Sequence, residues 1–286
     1  MRTHQASLPS IVQKTMSRSE LAAIKRRESM ARFENSIFIV TGGGSGLGRA
    51  TSLRLASEGA RIGVLDLQLK SAETVAEEIN TVADGRAIAL EADVTEADAV
   101  ESAVARATTE FGGLHGVVNC AGIALGEGGV VDCTEKAWDT MMNVNVKSIF
   151  LTGKYAIPEI IKSGGGSIVN IASVFGFVVN KDECAYAASK GAVVNLTRQM
   201  ALQHASDKIR VNAVCPADAD TPLIDGLIGK TGADLEAEKA ELAAPIPMGH
   251  LTKPDDVAAA ISFLLSSDSE FITGVSLPVD GGFLVQ

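Results

Sequence analysis

Short apolar runs alternate with longer segments of helical periodicity along most of the chain, and this alternation constrains the fold more than any other feature. The apolar runs lie at 37–40, 61–66, 87–90, 116–119, 167–172, 209–215 and 274–279. The helical segments lie near 47–58, 71–82, 96–111, 135–161, 185–205 and 254–266. Such alternation is typical of βαβ units in a parallel sheet, and uninterrupted apolar strands indicate helices on both faces. The sequence therefore predicts a doubly wound α/β fold with about seven parallel strands.

The first 32 residues differ in composition from the rest of the chain. Residues 1–32 contain seven Lys or Arg and two acidic residues, although the whole 286-residue chain has a net charge of −10. We expect a disordered basic extension over 1–32 and a single domain over 33–286. The extension is interpreted as an upstream start with initiation at Met30, in preference to an Arg-rich transit peptide.

Residues 223–250 fit the strand and helix pattern poorly, which favours a lid over the ligand site.

Several classes of function are disfavoured by composition. The acidic body lacks the basic surface that nucleic acid binding requires. No apolar run approaches the ~18 residues of a membrane span, so we expect no membrane partner. The four cysteines show neither a CxxC pair nor a histidine at metal-ligand spacing, so we predict no metal site and reduced thiols in a cytoplasmic protein.

A glycine-rich turn follows the first predicted strand. The stretch "TGGGSGLGRA" (41–50) places Gly42, Gly46 and Gly48 before a helix that begins near Leu47. Glycines permit positive φ and leave room for a diphosphate, and the helix N-terminus presents free N–H groups and a positive dipole end to it. This turn predicts a dinucleotide site.

An acidic residue at the end of the second strand indicates which dinucleotide binds. Asp66 follows Gly48 by about the interval at which a carboxylate accepts hydrogen bonds from the adenosine ribose hydroxyls. A 2′-phosphate would be repelled there. Neither Leu67, which comes next, nor Ser45 in the glycine loop supplies a cation. We therefore predict NAD rather than NADP.

Ordered motifs from about residue 33 to 286 resemble those of the short-chain dehydrogenase/reductase family, in its branch of about 250 residues. The motifs are "TGGGSGLG", Asp93-Val94, "NCAG" (119–122), "VNV" (144–146), "IVNIASVFG" (168–176), "YAASK" (186–190), "VNAVCPADADTPL" (211–223) and "FITGVSLPVDGG" (271–282). Any one of these could arise by chance, but all of them in order are highly specific. The resemblance implies a Rossmann fold and a nicotinamide cofactor.

The resemblance also implies a catalytic group. Tyr186 and Lys190 stand at i, i+4 on one helix face, and by themselves they are more typical of a surface pair. With Ser173 thirteen residues upstream, they match the family's acid/base pair. Tyr186 would exchange the substrate proton, helped by Lys190 and the positive nicotinamide, which lower its ordinary pKa near ~10. Ser173 would hold the substrate oxygen, and Asn145 would hold a backbone kink and a water that passes protons from Lys190 to solvent.

The resemblance carries cofactor contacts onto further positions. Lys190 would bind the nicotinamide ribose, and Thr221 would hydrogen-bond the nicotinamide carboxamide. The full set expected at the cofactor is Gly42, Ser45, Gly46, Leu47, Gly48, Asp66, Leu67, Asp93, Val94, Asn119, Ala121, Gly122, Tyr186, Lys190, Pro216, Ala217, Ala219 and Thr221.

Two departures from the family pattern stand out. Cys120 replaces the second asparagine of N-N-A-G, and Ala217 replaces the glycine of P-G-x-x-x-T. If the backbone needs positive φ at Ala217, that alanine costs on the order of 1 kcal/mol. In the same loop, Asp218 and Asp220 are interpreted as turn or rim residues rather than a catalytic pair.

The predicted function is NAD-dependent interconversion of a secondary alcohol and a ketone. Two alternatives remain: a reductase of 3-oxoacyl carrier-protein thioesters, and a sensor that binds NAD without turnover. The substrate is expected to be an apolar small molecule or ring, and we expect a homotetramer. Residues expected to line the substrate are Ser173, Val174, Phe175, Val179, Cys184 and Leu223.

Overall fold

One parallel sheet organises the protein. The computed structural model describes residues 31–83 and 85–286. Its seven strands are ordered β3-β2-β1-β4-β5-β6-β7 and pair in parallel throughout. They are β1 (Ile37–Thr41), β2 (Arg61–Asp66), β3 (Ala87–Glu91), β4 (Gly116–Asn119), β5 (Gly166–Ile171), β6 (Ile209–Pro216) and β7 (Ser276–Val279). Each predicted strand lies within about two residues of an observed one, and the predicted doubly wound fold is confirmed.

Alternate residues of each strand enter opposite halves of the core. In β1, Ile37 and Ile39 pack with the helices on one face, whereas Phe38 and Val40 pack with those on the other. Both faces of the sheet are therefore apolar and buried, which explains why the strands read as continuous apolar runs in the sequence.

Helices connect the strands and cover both faces. They are α1 (Gly46–Ser57), α2 (Leu69–Val82), α3 (Ala97–Phe111), α4 (Glu135–Met142), α5 (Ser148–Lys162), α6 (Cys184–His204), α7 (Pro222–Ile228), α8 (Gly232–Ala243) and α9 (Pro254–Leu265). The single helix expected over 135–161 is divided by a π-helical turn, Asn143–Lys147. None of the helices in 31–83 and 85–286 is long and apolar enough to cross a membrane.

The chain order reverses between β1 and β4, which are neighbours in the sheet. The loops that follow these two strands diverge at their carboxyl ends and leave a crevice, the position where doubly wound folds bind ligands. The glycine loop (41–46) and the "NCAG" segment (119–122) lie at this point, so the fold itself places them together.

The segment 223–250 contains the helices α7 and α8. No residue of α7 is buried, and Ala243 is the buried residue of α8. These helices thus contribute little to the core. They lie over the carboxyl ends of the sheet, since residues of both line the same cavity as Ser173 and Tyr186.

The predicted N-terminal extension falls almost wholly in residues 1–30, which lie outside the described residues. Arg32, which the prediction included in that extension, is held against the body. Its guanidinium donates hydrogen bonds to Asp268 at 3.0 Å and to Ser262 at 3.2 Å.

Candidate active site

The glycine loop is shaped for close approach of a ligand to the backbone. Gly42 has φ +61°, and a Cβ there would lie 3.0 Å from the backbone of Ala121. A Cβ on Gly48 would collide with the Gly42 carbonyl. The side chain of Ser45 makes no capping hydrogen bond to α1, so the first N–H groups of that helix are available to an anion. The cradle fits the diphosphate of a dinucleotide.

Asp66 lies beside this cradle at the end of β2. Its Oδ2 accepts a hydrogen bond from the N–H of Gly44 and its Oδ1 from that of Gln68, each at 3.0 Å. The side chain of Leu67 points outward and is 63% exposed. The carboxylate is therefore held in place and retains lone pairs for hydroxyl donors.

The other predicted adenosine contacts occupy the loops after β3 and β4. The carboxylate of Asp93 accepts hydrogen bonds from the N–H and the hydroxyl of Thr95, and Val94 is buried. Gly122 lies near the catalytic group, since a Cβ there would be 3.3 Å from Asn145 Oδ1 and 3.6 Å from Lys190 Nζ.

A buried polar network supports the "NCAG" turn. Asn119 Nδ2 donates to Asn170 Oδ1 at 2.8 Å, and Asn119 Oδ1 accepts from Thr152 at the same distance. The Thr41 hydroxyl accepts from the N–H of Ala121 at 3.1 Å. Sequence reasoning missed Thr41, Thr152 and Asn170. For Thr41 and Asn170 the available signal was a polar residue near the end of an apolar strand, whereas Thr152 lies within α5 and had no such signal.

The loop after β6 closes over the glycine cradle. A Cβ on Gly46 would lie 3.5 Å from the Thr221 side chain, which is buried. Pro216 ends β6, and Ala219 is buried beside the same cavity. The loop therefore spans from the sheet to the start of α7 directly above the cofactor cradle.

Ala217 does not adopt the conformation that would have required glycine. Asn35 and Lys208 are the non-glycine residues with positive φ in 31–83 and 85–286, and Ala217 is not one of them. Its methyl group is buried in a small apolar cluster with Val174, Ala243, Ile246 and Leu251. The free-energy cost expected for an alanine with positive φ therefore does not apply to Ala217.

Tyr186 and Ser173 face one cavity from two different elements. Ser173 follows β5, and Tyr186 lies in the first turn of α6. Lys190, one turn further along α6, places Nζ 5.5 Å from the centroid of the Tyr186 ring. The same Nζ donates a hydrogen bond to the Ile171 carbonyl at 3.0 Å. The structure thus brings these three predicted residues together.

Burial is the largest influence on the pKa values of Tyr186 and Lys190. It raises the pKa of Tyr186 well above its ordinary value; interaction with the Ser173 hydroxyl opposes this rise, and nearby carboxyl groups add to it. Burial also lowers the pKa of Lys190 to about 8. These shifts favour the neutral phenol of Tyr186 and the charged ammonium of Lys190 at pH 7. Burial therefore outweighs the lowering of the Tyr186 pKa expected from Lys190, and the further lowering expected from a bound oxidised nicotinamide stays a prediction.

Asn145 lies on the π-helical turn and is buried. Its Oδ1 accepts from the N–H of Ile123 at 2.8 Å, and its Nδ2 donates to the Ile123 carbonyl and to Ser189, each at 3.0 Å. The side chain therefore connects the loop after β4 to α6, the helix that carries Tyr186 and Lys190.

The cavity has a volume of about 460 Å³ and runs from the glycine cradle to the helices α7 and α8. Phe175 and Leu223 line it as expected. Val174 is buried in the apolar cluster below instead. Val179 is 83% exposed and, with Cys184, lines a separate pocket on the far side of Phe175. Residues 177–181 line that separate pocket, so the expected contributions of Val179 and Cys184 to the wall of the substrate cavity are not observed.

Three carboxyl groups surround Tyr186. Glu183 and Asp218 line the cavity, and Glu127 Oε1 accepts a hydrogen bond from the Tyr186 N–H at 2.7 Å. Asp218, interpreted from the sequence as a turn or rim residue, is half-buried and lines the cavity, whereas Asp220 is exposed and pairs with Lys239. Sequence reasoning missed Glu127 and Glu183, which no local motif distinguishes.

The cysteines are free thiols. Burial raises the pKa of Cys120 and of Cys215 to about 12, which makes both unreactive at neutral pH. Over the described ranges, no group of three or more His, Cys, Asp or Glu side chains is arranged to hold a metal ion.

Comparisons with known proteins agree with this geometry. The family model described as "Enoyl-(Acyl carrier protein) reductase" matches residues 42–284. Cyclohexanol dehydrogenase of Acinetobacter sp. (strain SE19) is 38% identical over 256 residues, which cover 88% of this chain and 96% of that protein. 2-(S)-Hydroxypropyl-CoM dehydrogenase 3 of Xanthobacter autotrophicus is 41% identical, with 88% and 97% covered.

A solved structure shows the same architecture. The 3-ketoacyl-(acyl-carrier-protein) reductase from Brucella melitensis, complexed with NADH, is 34% identical and superposes with a TM-score of 0.80. The match covers 88% of this chain and all of that one. The chain belongs to the short-chain dehydrogenase/reductase family of oxidoreductases, whose members bind a nicotinamide cofactor.

Proposed function

We propose that the protein is an NAD(H)-dependent enzyme that interconverts a secondary alcohol and a ketone. The observation that carries this proposal is the convergence of Ser173 and Tyr186 on one cavity, with the Lys190 ammonium 5.5 Å from the Tyr186 ring. The cavity is continuous with the glycine cradle, so a substrate carbon and a cofactor have room to meet. Several curated relatives are named as alcohol dehydrogenases, which supports the same reaction class.

The proton transfer is assigned to Tyr186. When bound, the nicotinamide cofactor supplies the hydride acceptor or donor. In the reducing direction the neutral phenol, favoured by burial, donates its proton to the carbonyl oxygen as charge develops there. In the oxidising direction the phenolate accepts the alcohol proton, and the nearby Lys190 ammonium and an oxidised cofactor both favour that anionic form. Ser173 donates a hydrogen bond to the same substrate oxygen.

Lys190 and Asn145 support this exchange. Lys190 is directed toward the Ile171 carbonyl at the end of β5, which holds its ammonium beneath the tyrosine ring. Asn145 fixes the π-helical turn against α6 through Ile123 and Ser189. We propose that this turn orders the water through which Lys190 exchanges protons with solvent, and that Lys190 binds the nicotinamide ribose.

Asp66 supports NAD over NADP. The carboxylate is fixed by two backbone N–H groups, and a phosphate beside it would meet a like charge. Arg49, on α1, is paired with Glu78 at 2.7 Å. The proposal extends to Pro216, Ala217, Ala219 and Thr221 as the loop that holds the nicotinamide end, and to the remaining residues of the predicted cofactor set.

The proposal includes the organisation of the protein. Residues 33–286 would form the catalytic domain, with 223–250 closing over the substrate. Large apolar side chains on α4 and α5 are exposed, among them Trp138, Phe150 and Ile161, which supports a homotetramer. Free thiols support a cytoplasmic location.

A panel of secondary alcohols with NAD⁺ and with NADP⁺, and of ketones with the reduced cofactors, tests this function. We expect turnover with a cyclic or short secondary alcohol and a higher kcat/KM with NAD⁺. Higher kcat/KM with NADPH on a 3-oxoacyl carrier-protein thioester would favour that reductase instead. Cofactor binding without any turnover would favour a sensor.

A further inference from the structure

The substrate cavity carries an unusual excess of carboxyl groups near its reacting end. Glu183 precedes α6, Asp218 follows β6, and both line the cavity that Ser173 and Tyr186 face. Glu127, from the loop after β4, stands behind them with one oxygen bound to the Tyr186 N–H. Two separate loops therefore place acidic side chains on the wall of the substrate cavity, and a third places one next to the Tyr186 backbone.

These carboxyl groups are incompletely satisfied. The Oε2 atoms of Glu183 and Glu127 are buried and have no hydrogen-bond partner in the described part of the chain. Burial, and then repulsion from Asp218, Glu127 and Asp182, raises the pKa of Glu183 to about 7. Burial raises the pKa of Asp218 as well. A buried acceptor without a donor is costly, so the cluster is not neutralised from within the protein. Glu183 and Asp218, which line the cavity, are the two carboxyl groups that a donor on a ligand can approach.

The lysines near the cavity are already engaged. Lys230 lines the cavity but pairs with Glu238, which lines it too. Lys239, on the lid helix α8, binds both Asp220 and Asp225 at 2.7 Å. Lys190 is directed to the Ile171 carbonyl below the tyrosine. Of the described lysines that line the cavity, Lys230 is paired with Glu238 and Lys190 is held at the Ile171 carbonyl, so an anionic substituent placed beside Glu183 and Asp218 would meet two carboxylates.

We infer that the substrate carries a second hydrogen-bond donor besides its reacting carbinol, a hydroxyl or ammonium group that Glu183 and Asp218 accept. Substrates with a carboxylate, sulfonate or phosphate substituent are rejected by the same two residues. Glu183 is thus a specificity-determining residue. This inference rests on the proposed function, since it places the substrate in the Tyr186 cavity.

Four ring alcohols that differ at one position test the inference: cyclohexanol, 1,4-cyclohexanediol, 4-aminocyclohexanol and 4-hydroxycyclohexanecarboxylate. At pH 8, where Glu183 is ionised, the diol and the amino alcohol should exceed cyclohexanol in kcat/KM at least tenfold. The kcat/KM for 4-hydroxycyclohexanecarboxylate should be at least tenfold lower than that for cyclohexanol. Lowering the pH from 8 to 6 protonates Glu183 and should reduce the discrimination against the carboxylate.

Two variants and a control isolate the charge. Glu183→Gln should raise the kcat/KM for 4-hydroxycyclohexanecarboxylate at least tenfold relative to that for cyclohexanol and should remove the pH dependence of that ratio. Asp218→Asn should act in the same direction, which keeps the test available if one variant does not fold. Glu110→Gln is the matched control, because it removes an exposed carboxylate on α3 that does not line the cavity, and it should leave the relative kcat/KM values of the four alcohols unchanged.

The outcomes separate this inference from the function on which it rests. If the four ring alcohols were oxidised with similar kcat/KM, or if Glu183→Gln changed all four kcat/KM values by the same factor, the inference would be overturned and the dehydrogenase assignment would stand. Absence of turnover of any secondary alcohol with either cofactor would overturn both.

Discussion

Replacing Ala217 by glycine should destabilise the protein, although the family pattern places glycine there. Ala217 avoids the left-handed region, and its methyl group is buried with Val174, Ile246 and Leu251. Loss of one buried methyl costs about 0.8 kcal/mol. The greater freedom of glycine in the unfolded chain adds about 0.4–1 kcal/mol. The expected loss in the free energy of unfolding is therefore about 1–2 kcal/mol.

Thermal unfolding measures this loss directly. For a chain of this size, about 1–2 kcal/mol corresponds to a Tm lower by about 2–8 °C, compared at equal protein concentration. Ala205→Gly is the matched control, because Ala205 is exposed at the end of α6 and loses no buried methyl. It should show only the backbone contribution. A raised Tm for Ala217→Gly would mean that the alanine is strained, and would refute the reasoning.

Three further substitutions test other parts of the site. Asp66→Ser removes the charge that opposes a 2′-phosphate, so the ratio of kcat/KM with NAD⁺ to that with NADP⁺ should fall at least tenfold; an unchanged ratio would contradict the assignment. Asn145→Ala leaves the Ile123 backbone groups unpaired and should lower the free energy of unfolding by about 1–3 kcal/mol along with kcat, as denaturant titration and steady-state rates would show. Lys239→Gln releases Asp220 and Asp225 from α8 and should raise KM several-fold with Tm within about 2 °C; an unchanged KM would argue against a lid.

The strands were predictable because each is apolar on both faces and short enough to bound by its flanking turns. The glycine cradle was predictable for a related reason: Gly42 and Gly48 occupy positions where any Cβ would meet backbone atoms. Such constraints act locally and leave a local pattern in the sequence.

The lid helices left no clear pattern. Helix α7 buries none of its residues and α8 buries Ala243, so neither needed the apolar periodicity that marks a packed helix. The π-helical turn was equally hidden, because the residues on either side of it are helical and the change lies in hydrogen bonding alone.

The acidic lining of the cavity could not be predicted either. Glu127, Glu183 and Asp218 lie on three loops that the topology brings together, and each alone resembles an ordinary loop carboxylate. Their combined effect on Tyr186 depends on burial, which no single stretch of sequence contains. Val179 was expected to line the cavity because it is close to Ser173 in sequence, but that closeness does not place it in the same cavity.

The central claim is that Tyr186 transfers the substrate proton, and Tyr186→Phe tests it most directly. The measurement pairs kcat/KM for oxidation of the best secondary alcohol with the Kd for NADH from its fluorescence. A general acid/base contributes about 10²–10⁴-fold, so kcat/KM should fall by that factor while the Kd for NADH stays within about threefold. Turnover within tenfold of the unsubstituted protein would contradict the assignment of Tyr186.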